Sequence, residues 1–259
     1  LFLCYLCQCG QHSNFTRAIE AGLKSWKQKV RGTQQLNLVM TSQSPLFPDP
    51  KVGYDYESGV VMNLLFNGLM GMNHEDGVTY SLAEHVEISD DGKTYRFRLR
   101  PSKWSNSKAL VAYDFEYSWK RMIDPNFSTV YAYLFFVIKN AKKAHERTAS
   151  LDSVGVYAED ESHLVVKLEE PSPYFLELTA QWPFFPVCSC SMTGSTWSHI
   201  PKEPHISCGP FKLSHFKRNK ELYLIKNPSY WDAQAVRLER VCIMKCRHAQ
   251  PAATNVRQR

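Results

Sequence analysis

The residues that could do chemistry are the cysteines, the histidines and the clustered charges. Eight cysteines fall in groups: Cys4, Cys7 and Cys9; Cys188 and Cys190; Cys208; Cys242 and Cys246. Cys188-x-Cys190 and Cys242-x3-Cys246 are close enough to share a metal, with His199, His205 and His248 the nearest histidines in sequence. Structural zinc needs four convergent ligands, and neither a paired CxxC nor an HxxxH accompanies these groups. Buried or surface thiols, without metal, are the expectation. Arg96, Arg98 and Arg100 alternate along one short run. They could gather an anion, but the solvated face of a strand is the commoner meaning of such a pattern. His74-Glu75 lies in GMNHEDG, whose bounding glycines make it a turn rather than a zinc helix. The chain contains no GxSxG elbow, phosphate loop, GxGxxG or HExxH. Nor does spacing mark a carboxylate pair for glycoside chemistry, or a base for any serine or cysteine. The expectation is a non-enzyme with no catalytic residue and no cofactor.

Composition sets the frame for these residues. At 259 residues, 44% hydrophobic and 13% aromatic, the chain has the material for a real core and for one large or two smaller domains. Its net charge of +6 is carried by the ends. Arg17, Lys24, Lys27, Lys29 and Arg31 stand near the start, and Lys245, Arg247, Arg257 and Arg259 near the finish, leaving the body close to neutral. A nucleic-acid binder normally carries a basic face on its folded module, so no nucleic-acid partner is expected. The opening LFLCYLCQCG is apolar but far short of the ~20 residues that span a bilayer. It resembles the end of a secretory signal core, and Leu1-Phe2-Leu3-Cys4 is loosely similar to a lipoprotein leader. An ordinary apolar start is the alternative.

Several elements can be read in turn. Leu36–Met40 reads as a strand, and the proline-rich SPLFPDP at 44–50 as an extended loop. Val60, Val61, Leu64, Leu65 and Leu69 recur at helical spacing, with Gly68 and Gly71 as stop signals. After the Asp90-Asp91-Gly92-Lys93 turn, Tyr95, Phe97 and Leu99 alternate with the arginines, which predicts a half-buried strand. A helix is expected over 114–123, with Phe115 and Trp119, four apart, facing a core. A strand follows at 163–168, then a short helix opened by Pro173, and paired strands at 208–213 and 221–226. The interspersed order indicates an α+β class.

In this order the segments resemble the oligopeptide-binding proteins of bacterial ATP-driven peptide importers. The likeness rests on Asp49-Pro50 and Leu65-Phe66-Asn67-Gly68-Leu69, then Leu82-Ala83-Glu84 and Ser89-Asp90-Asp91-Gly92-Lys93-Thr94-Tyr95. It continues through Leu99-Arg100, Lys103-Trp104-Ser105-Asn106, and Asp114 to Arg121, which matches the family's DFVYSWKR helix. Pro171 to Phe175, Gly209 to Leu213 and Asn227 to Asp232 complete it, so that it runs from about residue 36 to 245. Two positions depart from the family: Ser107 stands where glycine is usual, and Cys208 where asparagine or threonine is common.

The resemblance implies the first lobe of a two-lobed periplasmic-binding-protein-like fold with an inserted α+β subdomain, the second lobe missing. It implies a leader and linker over 1–35, a discontinuous first-lobe core over 36–52 and 185–259, and the inserted subdomain over 53–184. It also implies a truncated receptor, monomeric and periplasmic or otherwise extracytoplasmic, that captures short peptides for an ABC permease. A lipid anchor could be carried at Cys4, Cys7 or Cys9. By ungapped match, Tyr54, Asp55, Tyr56 and Tyr131 fall where the family's first lobe meets its peptide. A truncated product that binds nothing, or an adaptor lobe docking on another protein, is the alternative.

Overall fold

The computed structural model describes residues 34–40, 55–73, 75, 77–188, 205–217 and 220–245. Its strands, in chain order, are β1 (Gln35–Met40), β2 (Met70–Asn73), β3 (Gly77–Tyr80), β4 (Ala83–Ile88), β5 (Thr94–Leu99) and β6 (Ser102–Lys103). They continue with β7 (Ala109–Leu110), β8 (Val156–Ala158), β9 (His163–Lys167), β10 (Phe211–Lys217), β11 (Glu221–Lys226) and β12 (Arg240–Lys245). The helices are α1 (Tyr56–Leu65), α2 (Ala112–Ile123), α3 (Ala141–His145) and α4 (Phe175–Thr179).

Two four-stranded sheets organise the molecule, one ordered β1-β12-β11-β10 and the other β4-β5-β9-β8. Hairpins β2-β3 and β6-β7 form separate ribbons. The fold is α+β, as the element order indicates. In the second sheet the alternation along β5 holds residue by residue: Tyr95, Phe97 and Leu99 are buried, while the arginines face outward or half outward. α2 lies against β8 and β9 and sends Phe115, Trp119, Met122 and Ile123 inward, each fully buried. Trp119 is the hub of this core. Its indole N–H donates to the Phe184 carbonyl at 2.8 Å, and its ring meets Phe115, Phe135, Phe175 and Phe184 edge-on. Aromatic edge-to-face pairs add to the large area they bury.

The start of α2 explains part of the Trp-Ser-Asn…Asp-Phe pattern. Asp114 is buried and accepts from the Trp104 indole N–H at 2.9 Å and from the Val111 amide at 3.2 Å. A carboxylate at this depth is stabilised by donors aimed at it. The turn between β6 and β7 places Ser107 at φ 70°, the left-handed region that glycine occupies without strain. The departure from the family's glycine therefore falls where glycine is physically preferred.

The first sheet is joined across the whole chain. β1 pairs parallel with β12, Gln35 opposite Arg240 through Met40 opposite Lys245. β12 pairs antiparallel with β11, and β11 with β10. α1 is tied to this sheet where the Gly209 and Cys208 amides donate to the Leu65 carbonyl at 2.8 and 3.1 Å. The approach is so close that a Cβ on Gly209 would lie 2.5 Å from the Leu65 carbonyl carbon and the Phe66 nitrogen. Two sequence expectations are corrected. α1 ends at Leu65, so Leu69, although buried, lies beyond it. α4 starts at Phe175, two residues after Pro173, with Tyr174 as its N-cap.

Candidate functional site

Of the four residues matched to a ligand contact, Tyr54 lies outside the described residues. Asp55 caps α1, its carboxylate accepting from the Ser58 amide at 2.7 Å. An aspartate here satisfies an otherwise unpaired amide and complements the positive end of the helix dipole. Tyr56 follows as the first helical residue and is 87% exposed.

Tyr131 precedes a 3-10 segment (Ala132–Val137) and is half-buried. Burial raises its hydroxyl's pKa above the ordinary tyrosine value, and nearby Tyr133 and Asp55 push the same way. Tyr131 and Asp55 thus belong to one corner of the molecule, and the phenol stays protonated at neutral pH. A protonated phenol can both donate and accept a hydrogen bond, which suits recognition of a backbone amide.

Trp182 completes this corner, and no sequence motif singles it out. Its ring stands edge-on to Tyr131 with centroids 4.8 Å apart. A Cβ on Gly59, one turn into α1, would lie 3.3 Å from the Trp182 indole nitrogen. Gly59 therefore lets the indole approach the helix, and the indole in turn orients Tyr131. The local sign in the chain is Trp182-Pro183, where a 3-10 turn (Trp182–Phe184) forms. Val130 and Tyr133, on either side of Tyr131 in sequence, are 66% and 60% exposed. The corner offers aromatic surface, the phenols of Tyr56, Tyr131 and Tyr133, and the Asp55 carboxylate, whose oxygen is engaged in capping. It contains no nucleophile paired with a base.

The metal-like groupings do not assemble among the described residues, where no three His, Cys, Asp or Glu side chains converge. Cys188 is disulfide-bonded. Cys208 and Cys242 are free, buried thiols, and burial pushes them up to about 12 and about 11 respectively. Cys190, Cys246, His199 and His248 lie outside the described residues. No helix of the described residues is long and apolar enough to cross a membrane.

The remaining shared motifs act as clamps. Asn67 donates to the Ser81 hydroxyl at 2.9 Å and to the Tyr230 hydroxyl at 3.0 Å, joining the LFNGL segment to NPSYWD. Buried Asn227 donates to the Gly209 carbonyl at 2.9 Å.

Comparison with known proteins follows the same lines. Residues 77–259 match the family model described as bacterial extracellular solute-binding proteins, family 5 Middle. The chain is 36% identical over 217 residues to the oligopeptide-binding protein OppA of Bacillus subtilis, covering 83% of this chain and 40% of that protein. It is 32% identical over 216 residues to the dipeptide-binding protein DppE of the same organism, again covering 40% of it. The solved structure of Listeria monocytogenes OppA bound to peptide superposes with a TM-score of 0.77 at 32% identity, covering 83% of this chain and 43% of that one. The chain thus spans about 40% of the length of the curated relatives it matches.

Proposed function

This chain belongs to the family 5 bacterial extracellular solute-binding proteins, and from that premise we propose that it supplies the first lobe of an extracytoplasmic receptor for short peptides, serving an ABC permease. The described fold corresponds to a first lobe with mixed α and β structure. We assign residues 36–52 and 185–259 to the lobe core and 53–184 to the inserted subdomain, following the grouping of the two sheets. Residues 1–35 are assigned as leader and linker, with a lipid anchor at Cys4, Cys7 or Cys9, and the receptor acts as a monomer.

The observation that carries the peptide reading is the corner formed by Asp55, Tyr131 and Trp182. A protonated phenol at Tyr131 and the aromatic surface beside it support this reading. Peptide receptors of this kind gain affinity from backbone hydrogen bonds and accept varied side chains in roomy pockets. Tyr54 and Tyr56 are assigned to the same contact by their sequence match alone. A peptide held by one lobe stays half solvated, and the cost of immobilising it is poorly offset. Binding by this lobe on its own is therefore expected to be weak.

Isothermal titration with a mixed pool of tri- to pentapeptides tests this. Heat of binding at millimolar peptide, reduced several-fold by Tyr131→Ala in a variant with unchanged circular dichroism, supports it. No heat at that concentration removes the peptide reading for this chain and leaves the alternatives of a non-binding product or a docking lobe.

A further inference from the structure

The arginine run along β5 and just past its end raised an anion site against a solvated strand face, and the structure separates its members. Arg96 pairs with Glu159 at 2.7 Å and Glu87 at 3.7 Å, and Arg98 with Glu84 at 2.9 Å. Arg100 has no carboxylate partner among the described residues. Its guanidinium makes one long hydrogen bond, from Nη2 to the Ala83 carbonyl at 3.5 Å, and its Nε is buried with no acceptor. Instead it stacks over Trp231, with the guanidinium carbon 3.8 Å from the ring centroid. The Trp231 indole N–H is likewise buried and without an acceptor.

Both residues line a cavity of about 470 Å³ between the end of β5, the β6-β7 ribbon and the loop after β11. That volume lies within the range of small-molecule sites. Leu99, Pro101, Leu110 and Pro228 give it an apolar body. Lys103 adds a second positive charge and Glu161 one negative charge, leaving the lining net positive.

We propose that this cavity binds a small carboxylate with a compact apolar body, its carboxylate on Arg100 and its body against the apolar wall. Stacking on Trp231 fixes the guanidinium plane, and a fixed guanidinium with unused donors recognises a planar carboxylate better than a lysine would. The cavity shares none of its lining residues with the Asp55–Tyr131–Trp182 corner, so the proposal stands independently of the peptide reading.

Fluorine NMR with 4-fluorobenzoate tests it, with neutral 4-fluorobenzamide and inorganic phosphate as comparison probes. Saturable broadening of the benzoate signal is expected, with the amide and phosphate at least about tenfold weaker. Arg100→Gln should weaken benzoate binding by at least about tenfold. Ala109→Trp, on the exposed ribbon at the cavity wall, should block it, and decides the matter if Arg100→Gln fails to fold. No broadening at about 10 mM benzoate, equal binding of the amide, or unchanged binding in Ala109→Trp or in folded Arg100→Gln would each overturn the proposal.

Discussion

The two four-stranded sheets are alike in size and differ in what closes them. β4, β5, β8 and β9 come from one continuous stretch of chain, and the helix and 3-10 segments that cover them come from the same stretch or just beyond it. Their core is an aromatic cluster centred on Trp119, and two arginines on the outer face of β5 are matched by glutamates. The other sheet is closed by β1 against β12, which join opposite ends of the described chain. Closing so long a loop costs entropy before any contact repays it, so the locally connected sheet is expected to form first. The lesson is that one region is held by side chains packed around a hub and the other by backbone brought together from afar.

Breaking the hub should have the largest effect. Trp119→Ala removes a fully buried ring and the Phe184 hydrogen bond, and is expected to cost about 3–5 kcal/mol, read from the urea midpoint. If tryptophan fluorescence and far-UV circular dichroism then lose their common transition, the two sheets unfold separately. A single shared transition would show that the distinction does not extend to cooperativity.

The backbone seam of the other region is tested by Gly209→Ala, which forces a Cβ against the Leu65–Phe66 peptide. A loss of about 2–3 kcal/mol is expected, again from urea denaturation. A loss below 1 kcal/mol would show that α1 and the sheet can separate without penalty.

A smaller effect should appear with pH, through the two buried thiols beside that seam and within β12. Because burial raises Cys208 and Cys242 above the ordinary thiol value, the folded state holds their protons more tightly than the unfolded state. Their contribution is fully present below about pH 9 and is lost as pH rises towards 11–12. By pH 10 the loss is about 1 kcal/mol for each thiol, and Cys242→Ser should diminish it. At pH 8 neither thiol should react with a disulfide reagent until the protein unfolds.

The smallest change sharpens the comparison from the stable side. Ser107→Gly relieves a left-handed backbone at a hairpin tip and should raise stability by about 0.5–1 kcal/mol. No gain would mean that the hydroxyl or the unfolded chain offsets the relief.

Much of the local structure was legible because burial imposes a period. The alternation on β5, the Phe115–Trp119 spacing on α2 and the pairing of β10 with β11 follow from one face of each element meeting a core. β4 was not read, since AEHVEI buries little beyond Ala83 and gives almost no apolar alternation. β12 was missed because RVCIMK buries three successive residues, a run without the alternation of a half-exposed strand. The candidate corner was legible in part. Tyr131 and Asp55 came from matched motifs, whereas Trp182 had no motif and is identified by its packing on Tyr131 and Gly59.

The sequence by itself determined the α+β class, the resemblance, the absence of a recognisable catalytic motif and the inward face of α2. Each of these depends on residue type and spacing along a short segment. The tertiary structure alone decided that β1 runs beside β12, that Trp182 orients Tyr131, and that Arg100 has no carboxylate partner among the described residues while Arg96 and Arg98 are paired. Those outcomes depend on which distant segments the packed core brings within a few ångströms, and no local period records that.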